Sequence, residues 1–345
     1  MAKVANIDLR KSEHLKINLE KDVRSGLTTG LEKVHFVHNA LPEINLDTID
    51  LSLDLFGKKL SSPILISSMT GGTSDAQTIN ARLAEAAQEA NVALGVGSQR
   101  AAIENPDLVE TYSITRKMAP TIPIFANLGA IQLNYGYTID QCRRVVEMLE
   151  ADGLILHLNP LQEALQVGGN TNFKDLAGKI ELICRNLDTP VIAKEVGWGI
   201  SEQAARILSD CGVSAIDVAG AGGTSWSQVE MYRAPDEFAR NLAASFIDWG
   251  IPTLDSIINV KKVAPGLTIF ASGGLTNGLD IAKCIAIGAT LGGMAGPFLK
   301  AAAESSEAIV KLLKLTSEQI RVTLFAIGMK NLDALQGGNA VIINR

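Results

Sequence analysis

A repeated unit begins at Pro63 and limits the folds that this sequence can adopt. In each unit a short apolar run, typical of a strand buried on both faces, is followed by a polar or glycine-rich loop and a helical pattern. The unit recurs about every 30 to 40 residues, as in parallel β/α architectures. The predicted strands are Ile64–Ser67, Val92–Val96, Pro123–Ala126, Leu154–Leu158, Val191–Lys194, Ala215–Val218, Thr268–Ala271 and Thr290–Met294.

Eight strands joined by crossovers predict an α/β fold, a closed TIM (β/α)8 barrel with an N-terminal extension. An open doubly wound sheet is the alternative, but no G-x-G-x-x-G motif opens a helix after the first strand. Asp75 is predicted to cap the first helix. The predicted helices are Ala76–Ala90, Ile139–Leu149, Phe173–Leu187, Ser201–Cys211, Phe238–Trp249 and Leu254–Val263.

Residues 1–60 lack this repeat, so we predict an extension over 1–60 and the barrel over 61–345. Val34–His38 and Leu51–Lys58 are predicted strands of a small antiparallel piece. The polar cluster Arg10–His14 has two interpretations. It is either a solvated basic patch on a mobile tail, which the sequence alone favours, or a ligand-binding segment.

The composition excludes some classes of function. The 345 residues are 47% hydrophobic and 20% charged, enough for a large core, and the net charge is -6. This acidity argues against nucleic-acid binding and gives no reason to expect binding to a membrane surface. An anionic ligand would therefore need a local concentration of positive charge.

The cysteines and the N-terminus indicate the compartment. The four cysteines form no C-x-x-C pair, and we predict free thiols in a reducing cytosol. The first residues contain no apolar signal core, and no apolar segment is long enough to cross a bilayer. We therefore expect a soluble, cytoplasmic protein.

The stretch from Gly153 to Glu163 is the strongest candidate for a functional site. Its apolar run, Leu154 to Leu156, is followed by one imidazole, two amides and one carboxylate within seven residues: His157, Asn159, Gln162 and Glu163. One such residue would indicate an ordinary strand-to-helix loop, whereas four together favour a site at the carboxyl end of a barrel strand.

Most other strands also end in small or polar residues, and the last two loops are the most specific. Ser272-Gly273-Gly274 follows the seventh strand, and Gly292-Gly293-Met294-Ala295-Gly296 forms the end of the eighth. Backbone N–H groups at these two positions often hold a phosphate in barrels of this type. We therefore predict a phosphorylated cofactor or substrate.

Two further residues have both a structural and a functional interpretation. Lys194 ends a buried strand, so it either forms an ion pair with Glu195 or Asp217 or places a cation against an electron-rich cofactor ring. Trp226 follows the glycine-rich run 220–223, where a pocket wall is more typical than a core position.

Ten motifs in this order resemble those of the type 2, flavin-dependent isopentenyl diphosphate isomerases. They extend from residue 10 to residue 297, and the Asn159-Pro160-Leu161-Gln162-Glu163 run is highly specific. The others are Arg10-Lys11-x-x-His14, Met69-Thr70-Gly71-Gly72, Gly97-Ser98-Gln99-Arg100, Asn127-Leu128-Gly129, Lys194-Glu195-Val196-Gly197, Gly222-Gly223-Thr224-Ser225-Trp226, Asp248-Trp249-Gly250-Ile251-Pro252-Thr253, Ser272-Gly273-Gly274 and Met294-Ala295-Gly296-Pro297.

This resemblance implies a reaction and its cofactors. The family converts isopentenyl diphosphate to dimethylallyl diphosphate, a 1,3-allylic rearrangement of isoprenoid biosynthesis, with FMN reduced by NADPH and with Mg²⁺. A proton is added to the terminal alkene carbon and another is lost from C2, so reduced FMN serves as an acid–base group without net redox change. The resemblance also implies a homo-oligomer, a tetramer or octamer.

The resemblance assigns roles to matching residues. It implies Gln162, His157 and Asn159 at the reacting end and Glu163 as the Mg²⁺ ligand. The substrate would be bound by Arg10, Lys11, His14, Ser98, Gln99, Arg100, Gln162 and Trp226. FMN would be held by Ser68, Met69, Thr70, Gly71, Ser98, Asn127, Lys194, Thr224, Gly273, Gly274, Ala295 and Gly296.

Three alternatives remain open at this point. An FMN-dependent 2-hydroxy-acid oxidase or dehydrogenase shares the barrel but needs a histidine base near the sixth strand, where this sequence has none. A nucleotide dehydrogenase of the inosinate type needs a cysteine in a mouth loop, which is also missing. A non-catalytic flavin-binding barrel would bind FMN and leave isopentenyl diphosphate unchanged.

Overall fold

The computed structural model describes residues 2–338 and 340–344, so Met1 and Arg345, the outermost residues of the two predicted segments, lie outside it. The extension begins with helix α1 (Ala2–Glu20), followed by strand β1 (Val34–Phe36) and a hairpin of β2 (Leu53–Leu55) and β3 (Lys58–Leu60). The prediction of one strand over Leu51–Lys58 is wrong, because Phe56 and Gly57, at φ 50° and 81°, turn the chain back on itself.

The eight predicted barrel strands are confirmed, and they form one closed parallel barrel. The strand that follows β11 around the barrel is β4, which closes the sheet and excludes the open-sheet alternative. The barrel strands are β4 (Ile64–Ile66), β5 (Ala93–Gly95), β6 (Ile124–Gly129), β7 (Gly153–Leu158), β8 (Val191–Glu195), β9 (Ala215–Asp217), β10 (Thr268–Ala271) and β11 (Leu291–Met294).

Helices surround the barrel, and the predicted ones form with ends shifted by a few residues. Thr73, not Asp75, is the N-cap of α2, because its side chain accepts a hydrogen bond from the Ala76 N–H. The helices after α1 are α2 (Ser74–Ala90), α3 (Arg100–Glu104), α4 (Glu110–Met118), α5 (Ile139–Leu149), α6 (Pro160–Leu165), α7 (Leu176–Asn186), α8 (Glu202–Asp210), α9 (Trp226–Arg233), α10 (Glu237–Ala244), α11 (Thr253–Val263), α12 (Gly278–Ala286), α13 (Gly296–Glu304), α14 (Ser306–Ile327) and α15 (Leu332–Gly337).

The interior of the barrel is layered along the strands. The lower layer is apolar and is closed at the amino-terminal end by the β2–β3 hairpin, whose Phe56 ring lies 6.2 Å from Phe125 and 6.3 Å from Phe270. Because side chains alternate along a strand, residues two positions further on also point inward. There the layer is polar or small, and it comprises Ser67, Gly95, Asn127, His157, Lys194, Asp217, Ser272 and Gly293.

Both ends of the chain pack around the barrel. The last strand, β12 (Val341–Ile343), pairs antiparallel with β1, so the predicted strand at Val34 pairs with the C-terminal segment. Backbone hydrogen bonds from Ser25 to Gly223 and from Ser225 to Val23 attach the extension to the sixth barrel loop. The described residues contain no helix that is both long enough and apolar enough to cross a membrane.

Candidate active site

The four polar residues at the end of β7 divide into two groups. Pro160 begins α6, which places Gln162 and Glu163 one helical turn beyond Asn159. The Asn159 side-chain amide donates to Gln162 Oε1 at 3.1 Å and to Glu163 Oε1 at 3.0 Å. These three side chains therefore form one buried cluster at the mouth, the carboxyl-terminal end of the barrel.

His157 belongs to the polar interior layer rather than to this cluster. Its Nδ1 lies 2.8 Å from Asn127 Oδ1, so the imidazole donates to the amide oxygen. Burial, followed by the positive charges of Lys194 and Lys11, lowers the pKa of His157 to about 4. The ring is thus neutral near pH 7, a form that can orient a ligand but is a poor proton donor.

Glu163 is the carboxylate of the cluster and is held on two sides. Its Oε2 accepts from Gln166 Nε2 at 2.9 Å and from the Asn170 N–H at 2.5 Å. The side-chain oxygen of Asn159 is buried and has no hydrogen-bond partner among the described residues. These oxygens fit a Mg²⁺ ion that takes its other ligands from phosphate and water. No group of three His, Cys, Asp or Glu residues suited to a metal occurs within 2–338 and 340–344.

Helix α1 docks against the mouth, so Arg10–His14 contacts the barrel in this structure rather than forming a solvated patch. Lys11 Nζ donates to the carbonyl oxygens of Gly71 at 2.8 Å and Ser98 at 2.7 Å, and also to the Tyr112 hydroxyl. Burial and the charge of nearby Arg100 lower the pKa of Arg10. Cations from α1 and from the second barrel loop therefore meet at one place, as an anionic ligand requires.

Glu230 connects α1 to the β7 cluster. It is 3% exposed, and its carboxylate accepts from His14 Nε2 at 3.1 Å, Gln162 Nε2 at 3.3 Å and Arg233 at 2.7 Å. Burial alone would raise the pKa of Glu230, but the hydrogen bond and charge of His14 and the charge of Arg233 lower it. Trp226 packs edge-on against His14, with ring centroids 5.1 Å apart.

Three contributors to this site were not among the predicted site residues: Glu230, Tyr112 and Asp217. The only sequence signal for Glu230 was an acid four residues after Trp226, one helical turn away on α9. Tyr112 is fully buried in α4, and its hydroxyl donates to Ser98 O at 2.7 Å. Asp217 was considered only as a partner of Lys194, and that ion pair forms with Nζ and Oδ2 3.4 Å apart.

The Gln99 side chain is bonded to the backbone in this structure. Its side chain is fully buried and points away from the mouth, where Nε2 donates to Val145 O at 3.0 Å and Oε1 accepts from the Asn127 N–H at 2.9 Å. Through these two bonds the Gln99 amide connects strand β6 to helix α5. Both polar atoms of the Gln99 side chain therefore have partners within the protein.

The residues predicted to hold FMN lie in the loops of the mouth, except Asn127 and Lys194, which belong to the interior layer just below them. The loops after β9 and β10 meet backbone to backbone at the mouth. Gly273 has φ 105°, and a Cβ on it would lie 2.2 Å from Gly220 O, so only glycine fits. Helix α13 begins beside them at Gly296, and its free N–H groups favour an anion. The buried hydroxyl of Ser68 has no partner among the described residues, which leaves it available to a polar cofactor. The predicted set is Ser68, Met69, Thr70, Gly71, Ser98, Asn127, Lys194, Thr224, Gly273, Gly274, Ala295 and Gly296.

Comparison with solved structures shows the fold. A mandelate oxidase variant superposes with a TM-score of 0.69 at 18% identity, covering 100% of this chain and 99% of the other. Mandelate oxidase with (S)-2-phenylpropionate gives 0.67 at 16% identity, with 99% and 98% covered. A family model described as FMN-dependent dehydrogenase matches residues 159–341, more than half of the chain.

Comparison with curated proteins is more specific. The isopentenyl-diphosphate delta-isomerase of Nostoc sp. strain PCC 7120 is 52% identical over 333 residues, covering 96% of this chain and 95% of that protein. The enzyme of the same name from Rickettsia africae is 49% identical over 336 residues, covering 97% and 98%. Together with the FMN family match, these similarities show that the chain belongs to the isopentenyl-diphosphate delta-isomerase family, in its FMN-dependent, type 2 branch, and is an isomerase.

Proposed function

We propose that this chain converts isopentenyl diphosphate to dimethylallyl diphosphate at the barrel mouth, with reduced FMN as the acid–base group and Mg²⁺ on the diphosphate. One observation carries the proposal. The Asn159–Gln162–Glu163 cluster, the cations of α1 and Lys194 of the interior layer all face the mouth that the predicted FMN loops surround. A hydroxy-acid oxidase has less support, because the only imidazole of the interior layer is bonded to Asn127 and has its pKa lowered to about 4.

The diphosphate would bind between α1 and the second barrel loop. Arg10, Lys11 and Arg100 supply the positive charge, while His14, Ser98 and Trp226 border them. When the substrate binds, its diphosphate would replace the backbone carbonyl oxygens as the acceptor of hydrogen bonds from the Lys11 ammonium. Glu163 and the free oxygen of Asn159 would hold Mg²⁺ against the diphosphate oxygens.

FMN would be held by the predicted loop residues, with its phosphate between the Gly273–Gly274 loop and the start of α13. Reduced FMN, when bound, supplies an electron-rich ring and an exchangeable proton. Lys194 would favour the anionic reduced form of the ring. NADPH would act only as the reductant, since the rearrangement changes no oxidation state overall.

The remaining polar groups would handle the reacting carbons. Gln162 is fixed between Asn159 and Glu230, so its amide can face the alkene in one orientation. The neutral imidazole of His157 would border the same space without donating a proton.

We also propose a cytoplasmic homo-oligomer, a tetramer or octamer. Exposed apolar side chains such as Phe238, 79% exposed, support an assembly, and sedimentation velocity would measure its mass.

The test is incubation of the purified protein with isopentenyl diphosphate, Mg²⁺ and FMN in D₂O, with and without NADPH or dithionite. We expect dimethylallyl diphosphate only after reduction, no stoichiometric consumption of reductant, and deuterium at the former alkene terminus. Product formation with oxidised FMN would contradict the proposed acid–base role. Hydrogen peroxide formed from a 2-hydroxy acid under air would support the oxidase alternative instead.

A further inference from the structure

A row of ionisable side chains crosses three neighbouring strands just below the mouth. In the parallel register His157 of β7 pairs with Lys194 of β8, and Lys194 pairs with Asp217 of β9. All three belong to the polar interior layer, because Ile155, two residues before His157, lies in the apolar barrel core. The proposed mechanism uses His157 and Lys194 but gives Asp217 no role.

Asp217 is placed as the counter-ion of Lys194. It is fully buried, Oδ1 accepts from Ser272 Oγ at 2.6 Å, and Oδ2 lies 3.4 Å from Lys194 Nζ without any hydrogen bond from the described residues. Lys194 is held independently by its 2.8 Å bond to Glu195 O. The carboxylate of Glu195 instead accepts from the N–H groups of its own loop, 196–198.

This arrangement is poorly explained by stability alone. A buried ion pair contributes little net stability, because desolvation of both charges offsets their attraction. The ammonium would also stay in place without Asp217, since the carbonyl of Glu195 already binds it. What the carboxylate changes is the net charge of the interior layer, which lies directly below the predicted FMN loops.

We propose that Asp217 is a positioning residue that balances the charge Lys194 presents to the flavin, and thereby limits how strongly the protein favours reduced over oxidised FMN. This inference rests on the proposed contact between Lys194 and the flavin ring. With the Asp217 charge removed, Lys194 would face the ring as an uncompensated cation. Reduced FMN, which is anionic when N1 is deprotonated, would then be stabilised further.

The test is the reduction potential of bound FMN, measured by spectroelectrochemical titration of the holoprotein. Asp217→Asn has nearly the same shape and can keep the Ser272 bond, so it changes charge with little change in packing. We expect about a tenfold increase in the preference for reduced FMN, an upward shift of about 30 mV for a two-electron couple. Ser272→Ala is the control, because it removes the neutral partner and keeps the charge; its expected effect is less than about twofold.

The Lys194→Met background separates the two hypotheses. If Asp217 acts through Lys194, Asp217→Asn shifts the potential in the wild-type background and has little effect in Lys194→Met. Suppose that Lys194→Met alone lowers the potential, whereas Asp217→Asn leaves it unchanged or lowers it. This result would overturn the inference about Asp217 but would still support the proposed contact between Lys194 and the flavin. An unchanged potential in Lys194→Met would contradict the proposed Lys194 contact and the inference with it.

Discussion

At the scale of single residues, the site depends on which oxygen atoms are already bonded and which are free. Both oxygens of Glu163 accept hydrogen bonds from neutral groups, whereas the side-chain oxygen of Asn159 has no partner among the described residues. Amide donors fix the direction of a carboxylate and leave it its negative charge. This is the property that a Mg²⁺ ligand beside a diphosphate needs.

Glu163→Gln should therefore weaken the use of Mg²⁺ in turnover and leave FMN binding nearly unchanged. The variant keeps the size of the side chain but loses its charge, and we expect turnover to fall at least tenfold or the Mg²⁺ requirement to rise by a similar factor. FMN affinity, measured by fluorescence titration, should stay within about twofold. Gln166→Ala, which removes only a neighbour of the carboxylate, is the control and should have a smaller effect. The same Mg²⁺ dependence in Glu163→Gln and wild type would refute the assignment.

His157 gives a prediction about pH. Its pKa is about 4 in the folded protein and 6.5 ordinarily, so below pH 6.5 the unfolded chain binds a proton that the folded chain does not. The contribution of His157 to the free energy of unfolding is therefore complete above pH 6.5 and decreases as the pH falls towards 4. Between pH 6.5 and 5 this decrease is at most about 2 kcal/mol. His157→Gln should show a smaller loss of unfolding free energy over this range in guanidinium titrations. Parallel pH profiles for the two proteins would contradict this prediction.

At the scale of elements, α1 joins the extension to the barrel. Its hydrogen bonds span long sequence separations, such as His14 to Glu230 and Lys11 to Ser98. The helix is polar and only weakly amphipathic, so packing against the mouth, rather than intrinsic propensity, accounts for its stability in the protein. Substrate binding and closure of the site should therefore depend on this helix.

Lys11→Ala should reduce the affinity for isopentenyl diphosphate, because a charge-assisted bond to the diphosphate is lost. We expect the KM to rise about tenfold or more. Lys16→Ala, on the exposed side of the same helix, is the matched control and should leave the KM within about twofold. The FMN dissociation constant should change little in either variant. Equal KM values in Lys11→Ala and Lys16→Ala would contradict a direct bond from Lys11 to the diphosphate. They would show that the charges of α1 act only through the electrostatic field of the whole protein.

At the scale of the whole molecule, the two ends of the barrel carry different tasks. The mouth collects polar and charged groups, and the opposite end is closed by the aromatic contacts of Phe56 with Phe125 and Phe270. In this fold, residues at the closed end contribute to stability, and residues at the mouth contribute to function. Substitutions at the two ends should therefore affect different measurements.

Phe56→Ala tests this separation. The ring is partly buried, so its loss should lower the free energy of unfolding by about 2 kcal/mol. The kcat and KM of folded holoprotein should be unchanged. Leu41→Ala, at a side chain that is 72% exposed, is the control and should lower the free energy of unfolding by less than about 0.5 kcal/mol. Equal stabilities of the two variants, or a large kinetic defect in Phe56→Ala, would contradict this division.

The eight strands, their parallel arrangement and the loops of the mouth could be predicted from the amino-acid sequence alone. These features follow from local patterns, because a buried strand needs an apolar run and a close backbone approach needs glycine. The resemblance to the isomerases likewise depended on contiguous motifs. The division at residues 60 and 61 and the individual site roles remain predictions.

The directions of several side chains, and the contacts between distant residues, became evident only from the three-dimensional structure. Gln99 turns inward, although its motif predicted a substrate contact, because its amide is used by backbone groups of β6 and α5. Glu230 reaches both His14 and Gln162, and Asp217 reaches Lys194 from the neighbouring strand. Such contacts depend on barrel closure and on residues up to 216 positions apart, so no local sequence pattern records them.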